Sequence, residues 1–202
     1  MSVEQEGRQP DKLRELESIE TPVELLAYMK DNVQYGFVRR STKEVIANNT
    51  AETSTAFAKE YYLQSPEELL ESHHGVCWDS TELERRWFDD HGYHPQVFFL
   101  MYAKEGGTDL PTHTFVAFEK DQKWYWFEHA FADQRGIHEY ASLNELLDDV
   151  KLKHHQYAVK NRGAADEDFS RLRSAPFEQP KYGVSAQEFV EAVLKQNKSL
   201  VE

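Results

Sequence analysis

Cys77 is the only cysteine among 202 residues, and it stands in Gly75-Val76-Cys77-Trp78-Asp79 at the head of an amphipathic run that continues to Phe88. A thiol at a helix N-terminus lies where unpaired backbone N–H groups and the positive end of the helix dipole stabilise a thiolate. That is the setting of an activated nucleophile; the competing reading is a small buried hydrophobe. A cysteine nucleophile needs a base to take its proton and a third group to orient that base. Of nine histidines, His113 is the best placed. Period-two alternation in Thr112-His113-Thr114-Phe115-Val116-Ala117-Phe118 puts it on one strand face with Phe115 and Ala117, sheltered from water. A core histidine would fit there too. Glu128 follows in Trp124-Tyr125-Trp126-Phe127-Glu128-His129. A carboxylate among so many rings needs a partner, because burying it alone is costly. Pairing with His113 competes with a solvated strand end.

These residues need a scaffold. Thr21-Pro22-Val23-Glu24 and Ser65-Pro66-Glu67-Glu68 are capping boxes with proline at the first helical position, so helices start at each. A helix with weaker signals spans Ala51 to Tyr62. Leu83 and Trp87, spaced i, i+4, mark a helix from Cys77 to about Asp90 that Gly92 closes. Pro95 to Tyr102, Thr112 to Phe118 and Lys123 to His129 are rich in β-formers and read as strands, the last two as a hairpin. Gly106-Gly107 and Pro111 mark a loop. Ser142 caps a helix to about Leu152, Gln156 to Val159 reads as a short strand, and Asn161 to Gly183 reads as an extended loop. Ser185-Ala186-Gln187-Glu188 caps a C-terminal helix. Helices, then an antiparallel sheet, then helices again give an α+β class.

Strand register bears on the candidate pair. A hairpin turn at Lys120-Asp121 sets Glu119 against Gln122 and brings Glu128 directly opposite His113, within reach of an imidazole–carboxylate hydrogen bond. An odd-length loop would turn Glu128 to the other face.

The order cysteine, histidine, acid, with the cysteine heading a helix and the others on adjacent strands, resembles the transglutaminase-like branch of the papain-like thiol enzymes. Gly75-Val76-Cys77-Trp78-Asp79 is similar to that family's Gly-x-Cys-x-Asp motif. Thr112-His113-Thr114-Phe115 is similar to its base-bearing strand, and Trp126-Phe127-Glu128-His129-Ala130-Phe131 to its acid-bearing strand. The resemblance covers about 65–140. It implies a papain-like core with the nucleophile at the N-terminus of a central helix packed on an antiparallel β-sheet. It further implies Cys77 as nucleophile, His113 as base and Glu128 as orienting acid. The family usually has Asp in the third role, so Asp133 stands beside Glu128 as a candidate. The Cys77 N–H would supply part of an oxyanion hole, with Gln64 a candidate side-chain donor. Trp78 would line the acyl pocket or pack in the core. The expected chemistry is acyl transfer on a peptide or protein amide through a Cys77 thioester. The acceptor is water in a peptidase or amidase and an amine in a transglutaminase. The alternative is a non-catalytic member of the fold that binds a peptide or protein.

Other features narrow the field. His73-His74 and His154-His155 lack a recognised zinc spacing and read as surface or loop histidines. Asp166-Glu167-Asp168 lacks the alternating ligands of a calcium loop. No metal and no cofactor is expected. With 36 acidic against 23 basic residues the net charge is −13, which disfavours nucleic acid and anionic membranes as partners. A single cysteine allows no internal disulfide, and Met1 to Asp11 has no apolar stretch, so a cytoplasmic location is expected. The expected layout is a flexible tail over residues 1–10 and a single domain over 11–202.

Overall fold

A computed structural model describes residues 12–47, 51–104 and 110–200. The expected tail over 1–10 and the Gly106-Gly107 loop lie outside the described residues. The chain runs α1 (Lys12–Glu17), α2 (Pro22–Asn32), β1 (Gln34–Tyr35), β2 (Phe37–Val38), β3 (Val45–Ile46), α3 (Ala51–Glu60), α4 (Pro66–Ser72), β4 (His74–Gly75) and α5 (Cys77–Asp90). It continues through β5 (Gln96–Tyr102), β6 (His113–Lys120), β7 (Lys123–Glu128), β8 (Gly136–Tyr140), α6 (Leu143–Arg162), β9 (Leu172–Pro176) and α7 (Ala186–Gln196). The class is α+β, as the element order implies. The main sheet is antiparallel throughout, in the order β8-β7-β6-β5-β9.

The caps form where the sequence puts them. Thr21, Ser65 and Ser185 each accept from the N–H three residues on, and each third-position glutamate answers back to the cap. The sheet separates two cores. Val97, Phe99, Val116, Phe118 and Phe127 face α5, together with Leu83, Trp87 and Phe88 of that helix. The alternate residues Phe98, Leu100, Phe115, Ala117 and Trp126 face α6, with its Leu146, Val150 and Ala158.

Three expectations are corrected. The helix from Ser142 does not stop near Leu152, and 156–159 is no strand: α6 runs to Arg162. Leu146, Val150, His154 and Ala158 are all buried at i, i+4 spacing, and that stripe overrides the local β-bias of Tyr157 and Val159. Gly163 ends the helix with φ 72°, a left-handed position that suits glycine. Second, the stretch read as a loop over 161–183 contains β9, which pairs with β5 along the sheet edge. Its Arg173, Ser174 and Pro176 disguise it, and an edge strand tolerates them.

The third correction is register. Lys120 pairs with Lys123, so the turn residues are Asp121 and Gln122, with φ of 53° and 63°. Two left-handed residues make the primed turn whose twist matches a hairpin. This register sets Phe118 against Tyr125, rings stacked 5.2 Å apart, where the expected one would have faced Phe118 with Lys123. The turn is still even in length, so Glu128 stays on the His113 face. It comes level with Phe115, two residues along, and meets His113 diagonally.

Candidate functional site

Cys77 is the first residue of α5, and Asp79 fixes that start. The Asp79 carboxylate accepts from Val76 N (2.9 Å), Gln64 N (2.9 Å) and the Tyr61 hydroxyl (3.0 Å). Burial pushes Asp79 up to about 7, against the pull of these three donors. The acid two residues after the cysteine therefore works as a cap that ties the helix start to the segment before α4. Gly75 is needed beside it: a Cβ there would lie 2.4 Å from Leu69 Cδ1 and 3.0 Å from Asp79 Cβ. The Cys77 N–H, at the first helical position, has no acceptor within its own helix.

His113 opens β6 on the face toward α6. Its Nε2 is 2.7 Å from Glu128 Oε2. Glu128 is itself held, Oε2 accepting from Trp126 Nε1 (3.2 Å) and Oε1 from Phe131 N (2.7 Å). With Nε2 committed to the carboxylate, Nδ1 is the nitrogen left for the thiol. Burial opposes charge on His113. The Glu128 carboxylate and the neighbouring Cys77 thiol outweigh it and lift the imidazole to about 10. One imidazole is thus bonded to a buried carboxylate and shares a cleft wall with the thiol. A second clamp ties the elements together, since Thr81 of α5 shares a 3.0 Å hydrogen bond with Thr114, next to His113.

The other residues singled out from sequence fall in different places. Asp133 is exposed on the short 3-10 helix Ala132–Gln134 and makes no hydrogen bond to His113 among the described residues. Gln64 is buried, its Nε2 donating to the His74 carbonyl (2.8 Å) and its Oε1 accepting from Ser72 (2.9 Å), so its amide is occupied away from the cleft. Trp78 stacks on Phe189, rings 4.2 Å apart, and also lines the cleft: it serves core and wall together. His154 and His155 are not surface histidines; both are buried in α6. His154 donates from Nε2 to the Pro111 carbonyl (3.0 Å) and stacks on His113, centroids 5.9 Å apart. Burial, then the charge on His113, push His154 down to about 3, so it stays neutral beside the imidazolium. Asp168 pairs with Arg171 at 2.9 Å.

Cys77 sits where two lobes of a cleft meet. One lobe, about 510 Å³, is mostly apolar, lined by Phe37, Ile46, Phe57, Val76 and Trp78 among others. The other, about 280 Å³, holds His113, Phe131, Asp133, Arg135, His154 and Tyr157. Tyr35, Pro111, Thr112 and Arg162 line both. Tyr35, 47% exposed as a whole, carries its hydroxyl inward, where burial first and then the Cys77 charge raise its pKa. Sequence reasoning missed Tyr35, His154 and Arg162. All three lie outside 65–140, and the extended period of α6 is the one signal that could have found the last two.

The sequence model of a family described as transglutaminase-like domain matches residues 9–156. The chain belongs to that family. No curated protein matches the sequence. The transglutaminase-like match takes in Tyr35, Cys77, His113, Glu128 and His154, and stops before Arg162 and α7.

Proposed function

We propose that this protein is a thiol-dependent acyl-transfer enzyme acting on amides through a triad of Cys77, His113 and Glu128. The observation that carries the reading is the position of His113, held by Glu128 at 2.7 Å and lining the same open lobe of the cleft as Cys77. In this reading the Cys77 thiolate attacks the amide carbonyl carbon. The resulting oxyanion takes hydrogen bonds from the Cys77 N–H and the Tyr35 hydroxyl, the latter in the role the sequence suggested for Gln64. The His113 imidazolium gives its proton to the departing amine, leaving a Cys77 thioester and a neutral imidazole. His113 then takes a proton from water or an incoming amine as that nucleophile attacks the thioester, and the thiolate leaves. Glu128 keeps the ring oriented and stabilises its charged form, while Asp133 has no part in this step. A binding-only member of the fold would have no use for a buried imidazole held in its charged form, and this favours the enzyme.

Alkylation of Cys77 by iodoacetamide at neutral pH tests the reading. The native protein should react faster than the unfolded protein, and His113→Ala should slow the reaction roughly tenfold or more. His129→Ala should not, since His129 lines neither lobe of the cleft. Labelling only after unfolding would instead favour a module that binds peptide without cleaving it. No helix among the described residues is long and apolar enough to cross a membrane.

A further inference from the structure

Arg162 occupies an unusual position for a cation in this protein. It ends α6, where the helix dipole favours positive charge in any case. Its neighbour Lys160 is exposed, but Arg162 is half-buried and lines both lobes of the cleft where they meet at Cys77. The Tyr35 hydroxyl feels Cys77, Tyr157, Arg162 and Asp79 as its charged or ionisable neighbours, and of these Asp79 is already committed to Val76 N, Gln64 N and the Tyr61 hydroxyl. Acidic side chains outnumber basic ones by 36 to 23, and three other arginines pair with them, Arg85 with Glu82 and Asp89, Arg86 with Glu67 and Arg171 with Asp168, while Arg40 and Arg173 bond carbonyl oxygens. Arg162 makes no ion pair or side-chain hydrogen bond among the described residues. The second arginine of the cleft, Arg135, is tied by Nε to the His129 carbonyl (2.8 Å), and the exposed Asp133 pairs with neither.

A half-buried guanidinium beside a reactive thiol, without an acid among the described residues of an acidic protein, is a receptor for one supplied from outside. We propose that Arg162 is the specificity-determining residue of the cleft and receives a carboxylate carried by the substrate close to the reacting amide. The inference rests on the acyl-transfer reading above. Because Arg162 stands at the junction of the lobes and not at either far end, the carboxylate belongs within about one residue of the scissile carbonyl. Two sources share this chemistry, the terminal carboxylate of a peptide and an acidic side chain.

Matched alkylating reagents test this on the full-length protein without a known substrate. Bromoacetyl-glycine and bromoacetyl-glycinamide compare a terminal carboxylate with its neutral amide. Bromoacetyl-aspartic acid α-amide and bromoacetyl-asparagine amide do the same for the carboxylate of an acidic residue, and iodoacetate with iodoacetamide gives the shortest reach. The readout is the ratio of Cys77 alkylation rates, acid over neutral, within each pair. Arg162→Gln should lower that ratio roughly tenfold for at least one pair, and Arg162→Lys should restore part of it. The pair with the largest drop names the source of the carboxylate. Ratios identical in wild type and Arg162→Gln for all three pairs would overturn the inference and leave the acyl-transfer reading standing. A native Cys77 that refuses even the neutral reagents would remove that reading, and this inference with it.

Discussion

At the scale of single residues, the chemistry turns on one buried imidazole. His113 is lifted to about 10 although burial alone would depress it, so the neighbouring carboxylate and thiol supply the difference. Replacing Glu128 with Gln keeps nearly the same side-chain shape but removes the charge. The expected result is that the imidazolium is lost at lower pH. The alkaline limb of the Cys77 alkylation profile should move down by about one pH unit or more. An unmoved limb would mean that Glu128 is not what holds the charge. The same shift has a stability consequence. A histidine whose folded pKa lies above its unfolded value near 6.5 contributes stability that is complete below about 6.5 and is lost as pH rises through about 10. The stability gap between wild type and His113→Gln in urea titrations should therefore shrink steadily between those values. A gap that widens over this range would reverse the assigned sign.

At the scale of elements, the N-terminus of α5 is what makes Cys77 usable, and Asp79 is what makes that N-terminus. Its carboxylate satisfies two backbone N–H groups and the Tyr61 hydroxyl, all in a buried position. Asp79→Ala leaves those donors without an acceptor, at a cost of about 3 kcal/mol or more. The urea midpoint should fall accordingly, and Cys77 alkylation should slow even in conditions where the variant is folded. A variant that loses stability yet labels at the wild-type rate would show that the cap serves the fold alone. Helix α6 has a comparable role on the opposite face of the sheet, because its His154 stacks on His113 and its last residue reaches the cleft.

At the scale of the whole molecule, one core joins both ends of the described residues to the nucleophile. Leu16 and Ile19 near the start and Phe189, Val193 and Leu200 near the end belong to the same buried cluster as Cys77 and Trp78. We propose on this ground that 11–202 forms a single cooperative domain, although the family match ends at residue 156. Phe189 is fully buried and stacks flat on Trp78, the residue after the nucleophile. Phe189→Ala should cost about 3–5 kcal/mol and still unfold in one transition seen alike by fluorescence and circular dichroism. Two separated transitions would show that α7 belongs to a unit of its own.

Features that depend on near neighbours along the backbone could be read before any tertiary structure was known. The capping boxes at Thr21, Ser65 and Ser185 and the bounds of α5 were all legible. Each is set by a few residues and by backbone geometry common to all proteins. The sequence left the parity of the β6–β7 turn open, and the two-residue turn of the structure is what puts Glu128 on the His113 face. The two-residue offset needed the tertiary structure, because cross-strand stacking of Phe118 on Tyr125 chose between registers that local turn signals left equal. The length of α6 was present as a four-residue period, but the stretch around Tyr157 also fits a strand. Only packing against the sheet decided between them. The walls of the cleft were out of reach altogether. Tyr35, Cys77 and Arg162 come from β1, α5 and the far end of α6, over forty residues apart at each step. Nothing in the local pattern of any one of them records the others, since what brings them together is the packing of helices on both faces of the sheet.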